Sequence, residues 1–215
     1  MADKKKIAVL GAGVMGVGIA QMFAAAGHEV KLIYVYDDKV RSRPVETMTA
    51  NLTILRDEGV IKTEDIQPII DRVSFTESLE EAASFAQVVI ECIVENLAVK
   101  QDYFQKLDAL CPPSTILATN TSAISVTEIA EKSAHKERII GAHFWNPAYL
   151  IPLVEVINTK YADPAVIEEM CAIFKGAGKM PVVVKKDVPG FIANRMQHAL
   201  WREAISIVEN GIADA

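Results

Sequence analysis

The stretch Gly11-Ala12-Gly13-Val14-Met15-Gly16 constrains the fold of this chain more than any other. It follows a short apolar run, Ile7 to Leu10, and opens an alanine-rich periodic segment, Val14 to Ala26, which Gly27 closes. A second apolar run follows from Val30 to Tyr36. Strand, glycine loop, helix and strand in that order are the opening unit of a doubly wound α/β sheet. The glycine spacing has a physical basis. Gly11 permits a tight turn, Gly13 lets the backbone approach a phosphate with no Cβ in the way, and Gly16 lets the helix pack close on the strand. The first N–H groups of the helix and its positive dipole end then face an anion. A pyrophosphate-bearing dinucleotide is the expected ligand, with Gly11, Gly13, Val14, Met15 and Gly16 as its expected contacts.

The rest of the chain extends this pattern. Helices are expected over Arg43 to Glu58, from Thr63 for a short stretch, over Leu97 to Leu110 and over Pro164 to Lys175. Strands are expected at Val73 to Phe75, Val88 to Glu91, Ile116 to Thr119, Ile139 to Ala142, Leu153 to Ile157 and Val182 to Val184. Cys111-Pro112-Pro113 ends the Leu97 helix, because proline cannot continue a helix and restricts its predecessor. Lys186 to Gly190 reads as a linker into one long helix, Phe191 to Asn210. The division follows: a Rossmann-type domain over 1–187, and a separate helical segment over 188–215.

Composition narrows the partners. Half of the 215 residues are hydrophobic (51%), and 23% are charged, which suits a globular domain with its own core. The net charge of −6 argues against nucleic acid and against an anionic membrane surface. No apolar run approaches the ~20 residues of a membrane-spanning helix. The three cysteines, Cys92, Cys111 and Cys171, lie far apart and form no CxxC pair. With no apolar leader at the N-terminus, they suit reduced thiols in a cytoplasmic protein. No metal-ligand cluster is expected.

Three polar motifs lie at the ends of expected parallel strands, where open α/β sheets bind ligands. They are Glu91-Cys92-Ile93-Val94-Glu95-Asn96 leading to Lys100, Thr119-Asn120-Thr121-Ser122, and Ala142-His143-Phe144-Trp145-Asn146-Pro147. Two more follow: Pro152-Leu153-Val154-Glu155-Val156-Ile157, and Pro189-Gly190-Phe191-Ile192-Ala193-Asn194-Arg195. His143 and Glu155 can meet across a hairpin-like return, and an imidazole held by a carboxylate is a general base poised near neutrality. An acidic residue for the ribose hydroxyls is expected near the end of the second strand, and Asp37 is the candidate. Arg41 and Arg43 leave a 2′-phosphate, and so NADP, open beside NAD.

Taken in order, the five motifs resemble the L-3-hydroxyacyl-CoA dehydrogenase family, and the resemblance spans essentially the whole chain. It implies an NAD-dependent oxidoreductase whose Rossmann domain is followed by an all-helical domain that completes the site and forms a homodimer; 188–215 would be the first helix of that domain, which this chain leaves incomplete. It implies that His143 takes the hydroxyl proton, that Glu155 orients its imidazole, and that Ser122 and Asn194 hold the substrate oxygen. Glu95, Lys100, Ser122 and Asn146 would line the cofactor site. The expected partner is a small molecule. The stretch from Trp145 to Pro152 is also similar to relatives that oxidise free hydroxy acids such as gulonate and carnitine. Segment 37–44 departs from the family pattern where coenzyme A contacts are expected. A non-catalytic dinucleotide-binding protein is the alternative of a different class.

Overall fold

The computed structural model describes residues 4–34 and 43–215. Eight strands form one sheet: β1 (Lys6–Leu10), β2 (Glu29–Ile33), β3 (Val73–Thr76), β4 (Val88–Glu91), β5 (Ile116–Thr119), β6 (Ile139–Phe144), β7 (Leu153–Ile157) and β8 (Met180–Val184). Their order is β3-β2-β1-β4-β5-β6-β7-β8. Every neighbouring pair is parallel except β6 and β7, which run antiparallel. The chain leaves β1 in one direction for β2 and resumes on its other side with β4. That reversal opens a crevice at the carboxyl ends of β1 and β4, where the glycine loop sits.

Eight α-helices connect or follow the strands. They are α1 (Val14–Ala25), α2 (Arg43–Asp57), α3 (Ile66–Asp71), α4 (Leu79–Phe85), α5 (Leu97–Leu110), α6 (Val126–Ala130), α7 (Pro164–Gly176) and α8 (Ala193–Glu209). Side-chain caps fix several starts: Asn96 accepts from Val99 N–H at α5, and Asp163 accepts from Ala165 N–H at α7. The central strands are apolar on both faces, as parallel strands covered by helices must be. One apolar layer gathers α1, α2 and α7 with Phe23, Leu52 and Phe174. The other gathers α4, α5 and α6 with Phe104, Leu107 and Ile129. No helix among the described residues is long and apolar enough to cross a membrane.

Several boundaries differ from the sequence expectation; β8 begins at Met180, not Val182. Strand β2 ends at Ile33, not Tyr36, and residues 35–42 lie outside the described residues. Strand β6 runs two residues further, to Phe144, because β7 returns beside it and pairs His143 with Glu155 and Phe144 with Val154. The last helix starts at Ala193, not Phe191. Pro189-Gly190 forms a turn closed by Phe191 N–H on Val188 O at 3.1 Å, and Phe191 itself has a φ of +47°. Phe191 is therefore no part of that helix's apolar surface. Its ring is 1% exposed, packed with Val126, Ile157 and Val184.

Candidate active site

The three motif glycines answer to different demands. At Gly11, with φ +104°, a Cβ would lie 2.7 Å from Cys92 O. At Gly16 a Cβ would lie 1.8 Å from Gly11 O, so the α1–β1 contact closes only around glycine. At Gly13 a Cβ would meet nothing within 4 Å. The protein's own packing requires the first and third glycines; the second faces open space, where its bare backbone can be approached by a ligand. Gly13 caps α1 without a side-chain acceptor, and the first turn of α1 carries no acidic residue. This cradle fits the pyrophosphate of a dinucleotide. Asp37, expected at the ribose, lies outside the described residues, as does Arg41.

Beside the cradle, the ends of β4 and β5 are locked by a buried charge network. Glu91, fully buried, accepts from Ile93 N–H at 2.7 Å, from Lys100 Nζ at 2.7 Å and from Thr119 Oγ1 at 2.6 Å. Lys100 also meets Glu95 Oε2 at 3.3 Å. Glu95 Oε1 in turn accepts from the Thr121 hydroxyl and from Ser122 N–H at 3.0 Å. Burial works against the charge on Glu95, but the Thr121 hydroxyl, Lys100 and Ser122 N–H outweigh it and hold its carboxyl below the ordinary range. Lys100 is only 1% exposed. Through Glu95 it is tied to the Ser122 loop.

The catalytic candidates converge on the next two strands. His143, on β6, is 5% exposed, and its Nδ1 lies 2.7 Å from Glu155 Oε2 on β7. The same oxygen is 3.4 Å from Trp145 Nε1. The other carboxylate oxygen accepts from Ile192 N–H at 2.8 Å and Ala193 N–H at 3.1 Å. Burial disfavours a charged Glu155, yet the bond to His143 and the two N–H groups prevail and hold its carboxyl below the usual carboxylate range. With Nδ1 engaged, Nε2 is the imidazole nitrogen left for a substrate proton. A cavity of about 270 Å³ is lined by Met15, Asn120, Ser122, His143, Asn146 and Asn194, among others. Asn194 Nδ2 reaches Ser122 O at 3.3 Å. Met15 belongs to the glycine loop, so the cradle and the base share one cavity.

Some contributors were not singled out in the sequence. Asn120 Oδ1 accepts from Phe144 N–H at 2.8 Å and ties β5 to β6 at the site. Glu91 anchors the strand ends, and Phe191 packs its ring on the imidazole at 5.5 Å between centroids. Asn120 and Glu91 stand inside the polar motifs at strand ends, and that position is the signal that could have found them. Burial, and then the charge of Glu91, push the Cys92 thiol up from its ordinary range.

A dinucleotide cradle at the switch point, a carboxylate-held histidine and a polar cavity joining them define the Rossmann class of nicotinamide-dependent dehydrogenases. Residues 6–188 match the family described as 3-hydroxyacyl-CoA dehydrogenase, NAD binding domain. This chain belongs to that family, whose cofactor is NAD. It is 39% identical to a probable 3-hydroxybutyryl-CoA dehydrogenase of Bacillus subtilis, over 97% of this chain and 72% of that protein. It is 38% identical to an L-carnitine dehydrogenase of Streptomyces griseus, over 98% of this chain and 62% of the other. Among solved structures it is similar to 3-hydroxybutyryl-CoA dehydrogenase from Escherichia coli, with a TM-score of 0.92 and 35% identity. That match covers 98% of this chain and 44% of the E. coli chain.

Proposed function

We propose that this chain oxidises and reduces the 3-hydroxy/3-keto position of a 3-hydroxyacyl-CoA, with NAD as the redox partner and His143 as the general base. The observation that carries this reading is His143, paired with Glu155 at 2.7 Å, on the wall of a cavity that also includes Met15 of the glycine motif. In the oxidising direction His143 Nε2 takes the proton of the substrate hydroxyl while the carbinol carbon gives up its hydride and becomes a carbonyl. The nicotinamide ring, when bound, supplies the hydride acceptor. Glu155 fixes the imidazole and stabilises its protonated form. Ser122 and Asn194, together on the cavity wall, hold the substrate oxygen. Glu95 and Asn146 bound the cofactor side, and Asp37 takes the ribose hydroxyls.

A second reading, the same chemistry on a small free hydroxy acid, is supported by the similarity of this chain to an L-carnitine dehydrogenase. A cleft of about 780 Å³ shares Ser122 and Asn194 with the catalytic cavity and is also lined by Arg195, His198, Trp201 and Arg202. No acidic residue lines it, and no ion pair to either arginine occurs among the described residues. Such a cleft suits an anionic group, whether a substrate carboxylate or a coenzyme A phosphate. Comparing NADH-dependent turnover of acetoacetyl-CoA with that of small free 3-keto acids decides between them. A kcat/KM at least tenfold higher for acetoacetyl-CoA supports the first reading, and the reverse order supports the second. Binding of NADH with turnover of neither would point to the non-catalytic alternative. As part of the same proposal, the chain works in the cytoplasm as a homodimer on small molecules rather than nucleic acid. Its three unpaired thiols and acidic charge support that setting.

A further inference from the structure

The turn into α8 reaches the histidine–carboxylate pair from behind. Gly190, at φ +75°, takes the left-handed corner of that turn as glycine readily does. Phe191 follows at φ +47°, the sole non-glycine residue with positive φ among the described residues. A bulky side chain adopts this conformation only when its surroundings hold it there. The surroundings here are the catalytic candidates. The Phe191 ring lies 5.5 Å from the His143 ring at an interplanar angle of 57°, and Trp145 meets the same imidazole at 5.6 Å. The next two residues, Ile192 and Ala193, place their N–H groups on Glu155 Oε1, while Oε2 holds His143 Nδ1. One short turn therefore fixes both partners of the pair, the imidazole through a ring and the carboxylate through the start of a helix.

We infer that Phe191 is a positioning residue for His143: its left-handed backbone seats the first N–H groups of α8 on Glu155, and its ring sets the imidazole plane. Docking of α8 is thereby coupled to the orientation of the base. This inference rests on the reading of His143 as the base. The plain alternative is that Phe191 only fills the apolar cluster with Val126, Ile157 and Val184.

Phe191→Leu keeps an apolar side chain in that cluster but removes the aromatic contact. Phe191→Gly relaxes the backbone and frees the α8 start. Val184→Ala damages the same cluster without touching the pair. The low-field proton resonance of His143 Nδ1–H reports the pair without any turnover, and kcat, KM and NADH affinity are measured alongside. The expected result is that both Phe191 variants broaden or shift that resonance. They should lower kcat about 10- to 100-fold, the cost of slight misplacement of a reacting group, with NADH affinity unchanged. Val184→Ala should lower only the melting temperature. A Phe191→Leu protein with a wild-type resonance and kcat, or a Val184→Ala protein that disturbs both as much, overturns the inference. If the resonance moves in Phe191→Leu while His143→Gln retains full turnover, the positioning stands and the role of His143 as base falls.

Discussion

Gly13 and Gly16 sit three residues apart in one loop, yet a methyl group at each should have opposite consequences. Gly16→Ala drives a Cβ against Gly11 O, a backbone atom that cannot step aside. It should destabilise the fold by roughly 1–3 kcal/mol, the usual range for overpacking, seen as a lower midpoint in urea. Gly13→Ala meets nothing within 4 Å and should leave stability unchanged. It should weaken NADH binding by about tenfold, roughly 1.4 kcal/mol, by fluorescence titration. Equal losses of stability in both variants would mean that Gly13 is only a packing glycine. At the base, His143→Gln should keep NADH affinity and lower turnover by about 10²–10⁴-fold, the usual worth of a general base. These residues were legible because glycine spacing, an imidazole and a later carboxylate carry their chemistry in their identity. Phe191 was not. It continues the apolar periodicity of the following helix, and a left-handed phenylalanine leaves no mark in a sequence. The cofactor-side role expected of Lys100 came from the family resemblance alone. Burial between Glu91 and Glu95 shows only once the strands are side by side.

Among the α-helices of the described residues, α8 is the one left without cover. None of its residues is buried, and Met196, Leu200, Trp201, Ile205 and Val208 are 44–69% exposed. A helix with apolar residues spread this widely normally packs against another element, and each large side chain left in water forgoes roughly 1.5–3 kcal/mol. A two-fold contact lets two copies cover the same surface. This chain should therefore associate as its concentration rises in sedimentation velocity runs, and Leu200→Glu or Ile205→Glu should return it to a monomer. A stable monomer at all concentrations would contradict this. The sequence showed the apolar excess of α8 but misplaced its start by two residues, because the Pro189-Gly190 turn consumes Phe191. The β6–β7 return was legible as a reversal, and it alone brings His143 and Glu155 into register. The short helices α3 and α6 had weaker marks, since one or two turns give periodicity little room to show.

At the scale of the molecule, three carboxylates held in their charged form set how the fold answers to acid. Burial opposes charge on Asp108, but Arg138 at 2.7 Å and the N–H groups of His135 and Ala134 hold its carboxyl below the ordinary range. Glu95 and Glu155 are shifted the same way. For each, the folded chain binds its proton less readily than the unfolded chain. Their stabilisation is complete above the ordinary carboxylate range and is lost as pH falls through the depressed folded values. The melting temperature should accordingly drop steeply below about pH 4.5. Asp108→Asn, which leaves Arg138 buried without its countercharge, should cost about 3–5 kcal/mol near neutrality and flatten that acid slope. A slope unchanged in Asp108→Asn would mean that other groups govern it. In the proposed reaction hydride passes between NAD and the C3 carbon of the substrate while His143 handles the hydroxyl proton. Single-turnover reduction of acetoacetyl-CoA and of a free 3-keto acid with deuterated NADH, in wild-type protein and in His143→Gln, tests it most directly. Deuterium at C3 of one substrate class, delivered about 10²–10⁴-fold more slowly by the variant at equal NADH occupancy, is the expected result. No label transfer to either class, or transfer at the same rate in both proteins, would contradict it.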